Sequence, residues 1–306
     1  MKKFKKFLKT VSTIVVIAFA VYYLLEENGY INKTSYAKEE TKEVIFKENS
    51  QDLKIYYFDV GQADSTLIIA NNNTMLIDAG NNNDGMLLVN YIKSLGIKKI
   101  DFAIGTHAHE DHIGGMDDII DNFEIGTFYM PDAITTTTTF EDVLDALERK
   151  NLRFNTPDVG KTISLGEGSF KVLSYGSDAS DLNDTSIGVK LLYGNYSYLF
   201  MGDATSKIEK NLLNNNTDLK SDVLKLGHHG SNYSNTNDFL GAVNPKYAII
   251  SVGKNNSYGH PSKSVINRLK KKNIDIYRTD QMGTILLTSD KVSINIETIN
   301  TMVDGG

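Results

Sequence analysis

The chain has 306 residues, 32 basic against 38 acidic side chains, a formal net charge of −6, six histidines and no cysteine. A 41% hydrophobic content at this length is enough for one large core or two small ones. The acidic balance argues against a chain built mainly to coat nucleic acid, and without cysteine any metal must be held by histidine, carboxylate or amide oxygen.

Five lysines in the first nine residues precede an uncharged apolar run of 16 residues, 10–25. As a helix this run is about 24 Å long against a bilayer core of about 30 Å. A basic start before a short apolar stretch predicts a signal peptide or membrane anchor over 1–25. Ser35-Tyr36-Ala37 is a candidate cleavage site. The expected location is therefore extracytoplasmic, secreted or tethered to the cell membrane, with no obligate protein partner. Residues 26–50 are polar and aperiodic and read as a linker, so the globular part is 51–306. Residues 1–37 hold six lysines and two glutamates, a net +4; the remainder, 38–306, therefore carries −6 − 4 = −10.

From residue 53 onward, β-rich runs alternate with amphipathic helical ones. Strands are predicted at 53–60, 65–70, 74–79, 101–106, 124–130, 169–175, 186–193, 196–202, 222–227, 246–253, 275–279, 283–289 and 292–297. Helices are predicted at 85–96, 114–122, 140–151, 206–215, 237–243 and 262–273. The asparagine runs 71–73, 81–83 and 214–216 and the threonine run 135–139 read as turns or loops. This mixture predicts an α/β fold with sheets inside and helices outside. It also contains an echo. Asp78, a helix and His107 are matched by Asp203, a helix and His228, with separations of 29 and 25 residues. Each half would then bring an aspartate and histidines to strand C-terminal ends along one edge.

All six histidines lie in three segments: THAHEDHIGG with His107, His109 and His112; KLGHHGS with His228 and His229; and YGHPS with His260. His107 and His109 are two apart at a strand end, so their rings share a side. Such pairs can address two metal ions a few ångströms apart.

The H-x-H-x-D-H pattern resembles the metallo-β-lactamase-fold hydrolases. FDVGQADSTLI, LIDAG, NDTSIGVKLLYGNYSYLFMGD, LKLGHHGSNYS, SVGKNNSYGHPS and YRTDQMGTI extend the resemblance, over about 53–297, to the hydrolase domain of ComEC-type competence proteins and its stand-alone relatives. With a single apolar span, the expectation is the hydrolase module alone. The resemblance implies an αββα four-layer sandwich and two divalent ions, zinc or manganese. His107 and His109 would hold the first ion, Asp111 and His112 the second, with Asp203 bridging and His228 completing the second site. Asp78 would orient the histidine loop. The family usually supplies a third histidine to the first ion. Here that segment reads Asn183-Asp184-Thr185-Ser186, leaving Asn183 as a candidate ligand and a more oxygen-rich site.

Asp111 and His260 are candidates for proton transfer to a leaving group, and His260 also reads as a ligand or a phosphate contact. His229 would point away from the site if the backbone stayed extended; as a site wall it is a candidate substrate contact. Ser231 reads equally as a phosphate donor or a helix cap. Gln62 and Asp64 are candidate substrate contacts or supports at the rim. The implied reaction is hydrolysis of a phosphodiester, with DNA as the substrate the resemblance suggests. Lys246, Lys254, Lys263, Arg268 and residues 270–272 are candidates for a basic track. The alternatives are a cell-envelope phosphodiester of the teichoic-acid type, or a non-catalytic binding module. β-Lactam and thioester hydrolysis are disfavoured by the missing third histidine.

Overall fold

The computed structural model describes residues 52–299, apart from 134, 175 and 177–179. The signal or anchor segment, the linker and the candidate cleavage site lie outside the described residues. No helix among the described residues is long and apolar enough to cross a membrane.

Two sheets form the interior. The first runs β15-β14-β1-β2-β3-β4-β5-β6. It contains β1 (Leu53–Tyr57), β2 (Ser65–Ala70), β3 (Asn73–Ala79), β4 (Lys99–Ile104), β5 (Glu124–Tyr129), β6 (Phe154–Asn155), β14 (Thr284–Ser289) and β15 (Ile294–Ile299). The second runs β13-β12-β11-β10-β9-β8-β7. Its strands are β7 (Thr162–Leu165), β8 (Gly168–Ser174), β9 (Gly188–Tyr193), β10 (Tyr196–Phe200), β11 (Val223–Lys225), β12 (Tyr247–Ile250) and β13 (Asp275–Arg278).

Three apolar layers explain why β1 to β4 read as nearly continuous hydrophobic runs: both faces of each sheet are covered. Ile55, Tyr57, Ile68 and Ile104 meet Phe170, Val189, Tyr198 and Val223 between the sheets. On the outer face of the first sheet, Tyr56, Leu67, Leu76 and Phe128 pack with residues of α1 (Gly85–Ser94), α3 (Met116–Asn122) and α4 (Thr138–Arg149). On the outer face of the second, Leu199, Leu224 and Ile250 pack with α5 (Ser206–Asn214), α6 (Asn237–Val243) and α7 (Lys263–Lys271). The layers are αββα, as the resemblance implied.

The echo between halves is architectural. In each sheet an antiparallel hairpin, β2–β3 or β9–β10, leads through helices into strands parallel to its second arm, β4–β6 or β11–β13. Parallel strands joined through outer helices put all their C-terminal ends on one edge.

Several elements differ from expectation. Helix begins earlier than residue 114: α2 (Glu110–Ile113) starts directly after His109, and α3 follows Gly115. The break permits close packing, since a Cβ on Gly115 would lie 2.5 Å from the Cα of Gly85. The threonine run is not all loop, because Thr137 caps α4 by accepting a hydrogen bond from the Phe140 amide. The short strands β6 and β7 have too few residues to show a period.

Candidate metal centre

The parallel ladders deliver the chemistry. Ile77 pairs with Ile104 across β3 and β4, so Asp78 and the segment from Thr106 leave adjacent strand ends. Phe200 pairs with Lys225 across β10 and β11, which brings Asp203 and the 228–229 histidines together. The two edges meet: the amide of Ile187 donates to Thr106 O (2.9 Å), and that of His228 to Gly202 O (3.1 Å). The turn after β1 is tied in as well, its Asp64 amide donating to Asp111 O at 2.9 Å.

Asp111, His112, Asp203 and His229 converge, each offering one ligand atom within 4.8 Å of the others. His112 Nε2 is 3.3 Å from Asp203 Oδ1, and His229 Nε2 is 3.2 Å from Asp111 Oδ2 and 3.7 Å from Asp203 Oδ2. Both His112 Nε2 and Asp203 Oδ1 are buried, yet neither makes a hydrogen bond of normal geometry. Buried polar atoms are rarely left so; donor atoms aimed at a common point are what a cation needs, and oxygen with imidazole nitrogen suits zinc or manganese. Beside this set, His107 Nε2 and His109 Nδ1 face each other at 3.0 Å.

Each convergent histidine is held from behind. Nδ1 of His112 donates to Asp78 Oδ2 at 2.8 Å, while Asp78 also accepts from the Thr106 amide and hydroxyl, both at 2.8 Å. Nδ1 of His229 lies 3.1 Å from Ser251 O and 3.2 Å from Asp64 Oδ1. Asp64 in turn takes a 2.6 Å ion pair from Lys225, which is only 3% exposed. A carboxylate behind an imidazole fixes which ring nitrogen faces the site. On the other side, Ser186 Oγ accepts from the Asp203 amide (3.0 Å) and lies 3.4 Å from His107 Nδ1.

The charges are mutually dependent. Burial disfavours the imidazolium of His229, but Asp203 and Asp64 outweigh it and push the group up to about 10. For His112, burial is likewise overcome by Asp203, Asp78 and Asp111, raising it well above the usual range. Burial works to raise Asp111, yet His112 and His229 hold it at about 2. His107 has no such compensation: burial first and then His112 keep its imidazole well below the ordinary value.

The histidine pair differs most from expectation. The backbone does not stay extended, because His228 and His229 both adopt left-handed φ angles of 52° and 50°. His229 therefore turns inward and joins the cluster, 2% exposed, rather than forming a substrate-facing wall. His228 lies beside it, with Nε2 3.7 Å from Asp203 Oδ2. Asp64 is a buried support, not a rim contact, because Lys225 and His229 enclose it. Gln62 accepts from the Gly253 amide at 3.1 Å. Ser231 is buried and is not a helix N-cap, since Thr236 caps the following helix; its Oγ accepts from the Tyr233 amide at 3.2 Å. Asn183 lies in a 3-10 turn (Leu182–Thr185) with a buried Oδ1 that lacks a hydrogen-bond partner. His260 lies outside the convergent set, its ring centroid 5.7 Å from that of His228.

Sequence reasoning missed Lys225 and Thr106. A lysine inside the apolar run Val223-Leu224-Lys225-Leu226 was the available signal, since a buried lysine needs an anionic partner. The candidate basic track is interrupted. Arg268 is committed to the Asn235 carbonyl and Asn232 Oδ1, both at 3.0 Å, and Lys246 lies over the ring of Tyr247.

Comparison with known proteins places the chain in a family. ComE operon protein 3 of Bacillus subtilis (strain 168) is 34% identical over 200 residues, 65% of this chain and 26% of that protein. Competence protein ComA of Neisseria gonorrhoeae is 29% identical over 232 residues, 74% of this chain and 31% of that one. The chain thus spans under a third of these relatives' length. Among solved structures, Igni18, described as a novel metallo hydrolase from Ignicoccus hospitalis, shares the fold at 16% identity and a TM-score of 0.52, covering 77% of this chain and 98% of that one. The Metallo-beta-lactamase superfamily model matches residues 58–254, from the end of β1 past the Ser251 contact of His229, so the chain belongs to that superfamily.

Proposed function

We propose that the protein is a metal-dependent phosphodiesterase, with DNA as its first candidate substrate, held at or released from the outer face of the cell membrane by residues 1–25. The observation that carries this reading is the convergence of Asp111, His112, Asp203 and His229, with His112 Nε2 and Asp203 Oδ1 buried and without a hydrogen-bond partner. Those four would hold one ion, and His107, His109 and Asp203 a second. When bound, such ions supply water activation at neutral pH and stabilise the anionic oxygens of phosphodiester displacement.

The protein's own groups do the rest. Asp78 and Asp64 orient His112 and His229, and Thr106 and Ser186 brace Asp78, His107 and Asp203. Asp111, held at about 2, stays an anionic carboxylate suited to holding a cation rather than to donating a proton. Half-buried His260 borders the cluster without joining it and is the candidate to relay a proton to a leaving oxygen, although burial and then the neighbouring His228 hold its imidazole below the ordinary value. DNA is favoured over other phosphodiesters by similarity to proteins named for competence. Export is supported by the lysine-flanked apolar run.

The deciding experiment incubates the purified chain with manganese or zinc and DNA, RNA or bis(p-nitrophenyl) phosphate, beside Asp203→Ala. Metal-dependent cleavage, at least about 100-fold slower in the variant, is expected. Absence of cleavage of all three substrates, with metal bound, would overturn the reading.

A further inference from the structure

The rim of the centre holds a row of rings. His260 lies 5.7 Å from His228, and Tyr258 stacks on His260 with centroids 5.8 Å apart and planes at 21°. Tyr258 is nevertheless 71% exposed, and Tyr233, on the adjoining loop, is 75% exposed. The Ser262 amide donates to Gly230 O at 3.0 Å, which ties the two loops together. Of the large hydrophobic side chains exposed among the described residues, the only two aromatic ones are these. Both rings present a free apolar face to solvent beside the centre.

Resting on the phosphodiesterase reading, we propose that Tyr258, backed by His260, is a stacking platform for an unpaired nucleobase next to the phosphodiester bound at the centre. The substrate class is then single-stranded nucleic acid. In a duplex both faces of each base are occupied by its neighbours, whereas a single strand offers free faces to aromatic side chains. The charge distribution calls for such a device. Residues 38–306 carry −10 and Arg268 is committed to Asn232 and Asn235 of the neighbouring loop, so affinity through phosphate neutralisation is poorly supplied. Stacking is uncharged, and it tolerates any base sequence.

The test uses the manganese-loaded full chain and two strands of equal length and charge, oligothymidine and one with abasic sites. KM is measured for wild type, Tyr258→Phe and Tyr258→Ala. The abasic strand should show a KM about tenfold higher in wild type and in Tyr258→Phe, with the ratio falling toward one in Tyr258→Ala. KM for oligothymidine should also rise less with salt than it does for basic nucleases. A ratio near one in wild type, or one that persists in Tyr258→Ala, overturns the platform while leaving the phosphodiesterase reading intact. If neither strand is cleaved but bis(p-nitrophenyl) phosphate is, the platform and the nucleic-acid substrate fall together.

Discussion

The buried chain Lys225–Asp64–His229 has consequences for single substitutions. Removing one partner of a buried ion pair leaves the other charge without compensation, at a cost of about 3–5 kcal/mol. Lys225→Met is therefore expected to lose stability of that order in urea denaturation, and Lys225→Met/Asp64→Leu to recover part of it. On the other side, Asp78→Asn keeps the shape but weakens the acceptor behind His112. Metal affinity measured calorimetrically should drop about 10–100-fold, and an unchanged affinity would remove Asp78 from its orienting role. The histidines were legible because three of them fall within six positions around a strand end. Lys225 was not, because its partner is 161 residues away and a lone lysine ordinarily reads as solvent-facing. Nor could sequence rank His228 against His229, since their order depends on two left-handed backbone angles outside glycine.

At the level of elements, the helices of the first outer layer depend on contact without side chains. A methyl group at Gly115 would meet the Gly85 Cα at 2.5 Å and the Ala79 carbonyl at 2.6 Å. Gly115→Ala should destabilise the protein by about 1–3 kcal/mol, read from thermal unfolding, because α1 and α3 must part to admit it. Strands were the more legible elements here, since both faces of the central ones are apolar and their runs are bounded by turn residues. Helix boundaries were less so. Glu110 to Ile113 is set by His109 as an extended cap and by the ties of that loop to Asp64 and Gly80, which are long-range facts. The edge strands β6 and β7 owe their existence to pairing with Phe128–Tyr129 and with β8, not to local pattern.

For the whole molecule, the convergent donors come from both sheets, so a bound cation would link them and add to global stability. At a free metal concentration about 100 times the dissociation constant, binding adds about 2.7 kcal/mol. For a domain of this size that corresponds to a Tm about 5–10 °C lower after chelation. Calorimetric scans with and without chelator measure it, and identical curves would mean that the donor set does not take a cation. Sheets inside and helices outside were legible from the alternation of strand and helix and the repeated aspartate–helix–histidine order, whereas the four-layer αββα arrangement came from the family resemblance. The pairing that closes the first sheet was not: nothing local in 284–299 says that these strands return to the beginning of the fold.

That return decides when the protein can fold. β1 lies between β2 and β14, and the Asp59 amide reaches Thr284 Oγ1, 225 residues further along the chain. A nascent chain emerging N-terminus first therefore holds an open, apolar strand edge until residues 284–289 have been made. Non-local closure of this kind is slow, and an unpaired edge invites aggregation. A chain ending at Gly283 should stay protease-sensitive and insoluble, although it keeps every histidine. Under the export proposed above, late closure would keep the domain from locking before residues 284–299 arrive.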